Sequence, residues 1–291
     1  MEERKCLIAG LPDAGKSTYL GALWYIINND INKDKMSLKA SVNNPPENVE
    51  QLYMLSKRWL SVEDMDRTST DVPNNISFNL VSQAGEDFLT LEVPDFRGES
   101  IRQIITQNQP KEFDEWCERA DMVLYLMSNI SPGLFADDYL TDEDEEDQNE
   151  TPVPEFDIKR MSAAAQNMLI LRYLAEKKHY RKVVICLSAW DKVMNTCPDK
   201  TPEEFVKELS PALYNFIKYH YPEVVFFGLS AQGSEYEYEE FIGNNGQKQR
   251  RVTETCKKRL RDSTRQGKSA FVVVDKNKNP DITLPIAELL K

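Results

Sequence analysis

Short apolar runs alternate with longer amphipathic stretches along most of the chain. Six of the runs predict β-strands, at residues 5–9, 76–81, 88–93, 122–127, 183–187 and 224–228. The stretches between them carry apolar residues at helical spacing and predict helices at 17–28, 46–60, 100–120, 158–178, 202–219 and 246–263. The second and third strands are close enough to form a hairpin, and the other connections predict parallel crossovers. The expected fold class is therefore α/β, with a six-stranded, mostly parallel sheet, one antiparallel strand and helices on both faces.

Three segments exceed what six strands and their connections need, at about residues 29–73, 136–157 and 234–268. We interpret them as insertions in a single domain that spans 1–291, with a strand at 270–274 and a helix at 284–290 as a C-terminal extension. The second insertion has eleven Asp or Glu and no Lys or Arg between positions 137 and 157, which predicts a disordered, solvated loop. The third has nine Lys or Arg between positions 247 and 268, which predicts a basic helix.

Composition narrows the class of protein. With 41% apolar residues the chain can form a packed core, and its apolar runs are far shorter than the ~20 residues needed to span a bilayer. The few charged residues before the first strand leave no room for a cleavable signal, so a cytoplasmic location is expected. Five cysteines at irregular spacing argue against both a disulfide framework and a zinc site.

Eight residues directly after the first strand carry the clearest chemical signal. The sequence GLPDAGKS at positions 10–17 matches the P-loop pattern, and a strand before it and a helix after it are the context that this motif requires. In such a loop, backbone N–H groups surround the phosphates, Lys16 reaches the β- and γ-phosphates, and the Ser17 hydroxyl binds Mg²⁺. The residues expected to contact the nucleotide here are Pro12, Asp13, Ala14, Gly15, Lys16, Ser17 and Thr18.

Three further elements follow at the ends of later strands and narrow the nucleotide to GTP. Asp95 and Gly98 come after the third strand, where a carboxylate can hold the Mg²⁺ shell and a backbone N–H can meet the γ-phosphate. Asp191 follows the fifth strand, and a carboxylate there can accept hydrogen bonds from N1–H and N2–H of guanine, a pair that adenine lacks. The Ala231 N–H after the sixth strand could donate to guanine O6. The residues expected near the base are Ser188, Trp190, Asp191, Lys192, Ser230, Ala231 and Gln232.

This ordered set resembles the Ras-like GTPases of the translation-factor-related class, over residues 5–233. The resemblance implies binding of GTP and GDP with Mg²⁺. The family's base-reading motif is Asn-Lys-x-Asp, whereas this chain has Ser188 and Ala189 in the first two positions and keeps Asp191. The stretches at 16–23, 95–99 and 285–290 also look like the bacterial double-GTPase proteins of conflict and antiphage systems. That narrower resemblance implies a partner GTPase or other effector protein and a role in antiviral defence.

The candidate hydrolytic residues are taken from the same pattern. Switch I should lie just before the second strand, where Thr70 is the expected Mg²⁺ ligand, beside Ser17 and Asp95. Arg67 stands three residues earlier, a spacing similar to that of the arginine finger of heterotrimeric G-protein α subunits, and Arg97 is a second candidate. Glu99 occupies the place of the water-orienting glutamine, next to Gly98.

Two other functions remain open at this stage. Ser188, Ala189 and Glu99 depart from active-GTPase patterns and would suit a GTP-binding scaffold with little turnover. A small-molecule kinase or ATPase is the third interpretation, against which Asp191 argues. The acidic loop, the basic helix and the inserted helix with Tyr53, Trp59 and Leu60 are candidate protein contacts. The basic helix is interpreted as solvated rather than as a nucleic-acid site, and the sequence indicates no oligomeric state.

Overall fold

The computed structural model describes residues 4–42, 44–46, 48–62, 75–85, 88–94, 111–131, 161–242 and 248–291. In these ranges nine strands form one sheet: β1 Arg4–Ala9, β2 Leu38–Ala40, β3 Ile76–Ser82, β4 Phe88–Val93, β5 Met122–Met127, β6 Lys182–Ser188, β7 Val225–Ser230, β10 Phe271–Val274 and β11 Asn277–Asn279. A separate hairpin consists of β8 Tyr238–Ile242 and β9 Lys248–Val252.

Nine α-helices accompany these strands in the described part of the chain. They are α1 Lys16–Asn28, α2 Val49–Ser61, α3 Lys111–Arg119, α4 Ala163–Lys177, α5 Trp190–Thr196, α6 Pro202–Leu209, α7 Pro211–His220, α8 Glu254–Arg265 and α9 Leu284–Leu289. None of them is long and apolar enough to cross a membrane.

The sheet has the order β11-β10-β7-β6-β5-β1-β4-β3-β2. Its five central strands, β4, β1, β5, β6 and β7, are parallel neighbours, so their carboxyl ends meet at one edge. On one side β3 pairs antiparallel with β4, and on the other β10 pairs antiparallel with β7. The expected α/β class with a parallel core is confirmed, and the P-loop, Ser188, Asp191 and Ser230 lie at this edge.

The predicted sheet of six strands with one antiparallel strand was too small. The edge strands β2 and β11 have three residues each, LKA and NKN, which are too few to show the alternation that marks a longer strand. The strand predicted at 270–274 is present as β10, but it runs antiparallel to β7 and joins the main sheet. Two strands, β3 and β10, therefore oppose the central direction.

Two apolar layers cover the faces of the sheet. Along β1 the side chains alternate, so that Cys6 and Ile8 pack beneath α1, α2 and α9, whereas Leu7 and Ala9 pack beneath α3 to α7. All six residues of β5 are buried, as expected for a central strand covered on both faces. Burial raises the pKa of the Cys6 and Cys186 thiols, which are free and act as small core residues.

Two predicted helices required correction. The helix predicted at 202–219 is divided into α6 and α7, because Pro211 has no backbone N–H to continue a helix and instead begins a new one. The helix predicted at 246–263 is a strand followed by α8, which begins after Thr253, whose hydroxyl accepts a 3.2 Å bond from the Cys256 N–H. The short helix α5 was not predicted. The acidic segment 136–157 lies outside the described residues.

Candidate functional site

The P-loop lies at the carboxyl end of β1 and leads directly into α1. Gly10 has φ 147° and is so close to β5 that a Cβ there would lie 2.3 Å from the Leu126 carbonyl oxygen. Gly15, which immediately precedes α1, has φ 86°. Asp13 also lies in the left-handed region, at φ 61°, with an exposed side chain. Backbone conformation therefore favours glycine at positions 10 and 15, and close approach to β5 requires it at position 10.

The loop presents a cation and the start of a helix to the same space. The Lys16 ammonium donates to the carbonyl oxygens of Gly10 and Leu11, at 2.8 Å each, so it lies across the loop. The Ala14 N–H donates to Leu11 O at 3.2 Å and closes the turn. No side chain among the described residues caps α1, whose N-terminus begins with Lys16 and the exposed Ser17. Such an N-terminus favours an anion.

Ser188 connects this loop to two neighbouring strands. Its hydroxyl, at the end of β6, shares its hydrogen between Ala14 O at 2.7 Å and Met127 O at 3.2 Å. A Cβ at Gly15 would lie 3.2 Å from the Ser188 Cβ. The structure thus places Ser188 against the P-loop backbone, where it fixes the position of the loop relative to β5 and β6.

Asp191 is held in place by the end of β7. The Ser230 hydroxyl, which is fully buried, donates to Asp191 Oδ1 at 2.5 Å and accepts from the Gly233 N–H at 2.9 Å. One carboxylate oxygen of Asp191 is therefore committed to Ser230, which orients the group. Of the predicted base contacts, Ser188 and Asp191 lie beside the segment with Ser230, Ala231 and Gln232 at the sheet edge.

The other predicted base contacts differ in their placement. The Trp190 indole is 1% exposed and packs on Gly228, where a Cβ would lie 2.3 Å from the ring, so this side chain belongs to the core. The Lys192 side chain is exposed. Gln232 has a buried side-chain oxygen with no hydrogen-bond partner in the described ranges, an acceptor that a ligand N–H could satisfy.

Two residues of this region were missed by the sequence interpretation. Trp59, expected to be a partner contact, is 1% exposed, and its indole N–H donates to Ala231 O at 2.9 Å. Gly233, at φ 85°, approaches Ser269 so closely that a Cβ would lie 1.6 Å from the Ser269 carbonyl oxygen. Neither contact has a local sequence signal, because the partners are far apart in the chain.

The remaining predicted residues lie outside the described part of the chain. They are Arg67, Thr70, Asp95, Arg97, Gly98 and Glu99. Their proposed roles stay predictions.

Comparison with protein families decides the identity of this P-loop domain. The family model described as Double-GTPase 1 matches residues 7–289. This chain belongs to the Double-GTPase 1 family. Membership confirms the resemblance read from the sequence and identifies the chain as a P-loop GTPase family protein, for which guanine nucleotide binding is implied.

Solved structures with similar folds include GTPase domains of low sequence identity. The bacterial selenocysteine-specific elongation factor EF-Sec matches with a TM-score of 0.38 and 11% identity, over 79% of this chain and 26% of that one. The Ski7 GTPase-like domain of S. cerevisiae, bound to GDP and inorganic phosphate, matches with a TM-score of 0.36 and 15% identity, over 79% of this chain and 43% of that one. The G domain of the T. maritima FeoB iron transporter matches with a TM-score of 0.31 and 12% identity, over 79% of this chain and 89% of that one. The chain thus spans about a quarter of the length of the elongation factor. No curated protein matches the chain.

Proposed function

We propose that this Double-GTPase 1 protein binds GTP with Mg²⁺ at the carboxyl edge of its sheet and hydrolyses it to GDP and phosphate. The observation that carries the proposal is the connected set of groups at this edge. Ser188 ties the P-loop to β6, and three residues farther on Asp191 is oriented by Ser230. The proposed phosphate site and the proposed guanine acceptor are therefore connected along one edge of the sheet.

The residues present fit a nucleoside triphosphate. The triphosphate would lie between the Lys16 ammonium and the N-terminus of α1, whose backbone N–H groups have no capping side chain among the described residues. Gly10 and Gly15 leave the loop free of side chains at two points of close approach. A carboxylate oxygen can accept more than one hydrogen bond, so Asp191 can accept the N1–H and N2–H of guanine in addition to the Ser230 hydroxyl.

Ser17, Thr70 and Asp95 would hold the Mg²⁺ ion, which offsets negative charge on the β- and γ-phosphates. Lys16 would contribute a second positive charge there. We assign Arg67 as an arginine finger in cis, the Gly98 N–H as a donor to the γ-phosphate and Glu99 as the group that orients water. If Arg67→Ala leaves single-turnover hydrolysis unchanged, that assignment is wrong.

Control of a partner protein would follow from the γ-phosphate. The γ-phosphate would order the segments around Thr70 and Gly98, so hydrolysis would release both segments and change a partner surface. The resemblance to conflict-system proteins supports a role in antiphage defence. Phage plaque counts on cells that carry wild type or Lys16→Ala would test that role, and equal counts would contradict it.

The decisive experiment measures phosphate release from GTP and from ATP side by side, with and without Mg²⁺. We expect Mg²⁺-dependent turnover of GTP that exceeds turnover of ATP. A preference for ATP would overturn the role of Asp191. Binding of GTP without turnover would favour the scaffold, in which the departures at Ser188, Ala189 and Glu99 have removed hydrolysis and kept recognition.

A further inference from the structure

The indole of Trp59 reaches from the inserted helix α2 to the loop that follows β7. Its Nε1–H donates a 2.9 Å hydrogen bond to Ala231 O, across 172 positions of sequence. The indole is 1% exposed, and its ring centroid lies 5.4 Å from that of Tyr25 on α1. Because the donor is buried, water competes poorly for this bond, and its loss would leave the carbonyl oxygen without that donor.

Close packing on α1 sets the position of α2. A Cβ at Gly21 of α1 would lie 2.7 Å from Leu55 O and 3.1 Å from the Trp59 Cβ. The two helices therefore approach each other at a point that admits only glycine. Helix α1, which begins at the P-loop, therefore also fixes the position of Trp59, whose indole holds the loop after β7.

The C-terminal end of α2 is held by the third insertion. Arg261 of α8 donates to the carbonyl oxygens of Leu60 and Ser61, at 3.3 and 3.2 Å. Val62, the next residue, is 1% exposed and has φ 59°, a conformation that is strained for a β-branched side chain. It packs with Val252, Cys256 and Leu260. These contacts maintain a strained backbone three residues after Trp59, so α8 holds the end of α2 while α1 packs against its middle.

The bond to Ala231 constrains the loop at the position where base recognition needs order. Ala231 O and the Gln232 N–H belong to one peptide group, so the Trp59 bond fixes the plane of that peptide. Ser230 and Gly233 fix the two ends of the same loop. We propose that Trp59 is a positioning residue for guanine recognition, which acts by holding loop 230–233 in register with Asp191. This inference rests on the proposed function, because it takes guanine to be the base bound.

The test compares Trp59→Phe with a matched control, Trp24→Phe. Trp24 on α1 and Trp59 on α2 are both buried, but the Trp24 indole N–H has no hydrogen-bond partner in the described ranges. Phenylalanine keeps an aromatic ring at both sites. The substitution removes a hydrogen-bonded donor at position 59 but not at position 24. Dissociation constants for GTP, ATP and inorganic tripolyphosphate are measured by calorimetry with Mg²⁺, since tripolyphosphate reports on the P-loop alone.

We expect Trp59→Phe to weaken GTP binding by about five- to tenfold, or about 1 to 1.4 kcal/mol, and to leave tripolyphosphate binding unchanged. Trp24→Phe should change neither. Equal loss of GTP and tripolyphosphate binding in Trp59→Phe would show a general structural role and overturn the inference, as would wild-type GTP affinity. A wild-type protein that binds GTP no more tightly than ATP would instead overturn the proposed guanine selectivity.

If Trp59→Phe does not fold, a measurement on the wild-type protein tests the same inference. The indole N–H signal of Trp59 is followed by ¹⁵N-resolved NMR. GTP should shift this signal and slow its hydrogen exchange, and tripolyphosphate should do neither. A signal that responds equally to both ligands, or to neither, would contradict a role in base recognition.

Discussion

The two halves of the candidate site are built differently. The phosphate half is one continuous stretch, residues 10–17, shaped by two glycines and closed by its own lysine. The base half is assembled from Asp191 and residues 230–233, with Trp59 and Ser269 behind them. The first half depends on local backbone geometry, whereas the second depends on contacts between segments that only the fold brings together. Substitutions in the two halves should therefore be separable with two ligands, GTP and tripolyphosphate.

The largest effect is expected in the phosphate half. Lys16→Ala removes the cation that lies across the loop. The affinities for GTP and for tripolyphosphate should each fall by at least about 100-fold, and turnover should be lost. Calorimetry and phosphate release measure the two effects. Lys35→Ala, at an exposed lysine beyond α1, is the control and should behave as wild type. Retained tripolyphosphate binding in Lys16→Ala would contradict the assignment of the phosphate site.

Ser188→Ala should affect both halves, because this hydroxyl joins the P-loop to β5 and β6. Removal leaves the carbonyl oxygens of Ala14 and Met127 without this donor, and we expect GTP and tripolyphosphate affinities to fall together by about tenfold. Ser128→Ala, at an exposed serine just after β5, is the matched control. A selective loss of GTP affinity would place Ser188 in the base half instead.

Ser230→Ala should affect the base half alone. Without the hydroxyl, Asp191 loses its 2.5 Å partner and the Gly233 N–H loses its acceptor, so GTP binding should weaken about fivefold. Tripolyphosphate binding should not change. Ser234→Ala, four residues later and outside the loop, provides the control. Unchanged GTP affinity in Ser230→Ala would mean that the orientation of Asp191 does not matter for binding.

The smallest effect concerns Ala189, which lies between the two halves. It has φ 55°, where an alanine Cβ is disfavoured, so Ala189→Gly should stabilise the protein by about 0.5–1 kcal/mol. Urea unfolding measures the change. Ala175→Gly, inside α4, should have the opposite sign because glycine disfavours a helix. Destabilisation at position 189 would show that the alanine methyl group makes a contact that outweighs the strain.

This division also explains what the sequence could predict. The central strands were predicted because each is a short apolar run, and the P-loop was predicted because it follows the first of them in a fixed local pattern. The pairing of Ser230 with Asp191 and the bond from Trp59 to Ala231 were not found, because their partners lie 39 and 172 positions apart. The three-residue edge strands carry too few side chains to show alternation, and Thr253 was overlooked as the N-cap that begins α8. Tertiary contacts therefore define the part of the site that local patterns leave open.

Asp191→Asn tests the central claim most directly. In the proposed site the Asp191 carboxylate would accept from guanine N1–H and N2–H, whereas an asparagine amide can donate to the oxygen that replaces N2 in xanthine. We measure affinities for GTP, XTP and tripolyphosphate in wild type and Asp191→Asn. The account predicts that the variant loses GTP binding, gains XTP binding and binds tripolyphosphate as wild type does. Unchanged preference for GTP over XTP would show that Asp191 does not read the base and would contradict the guanine site.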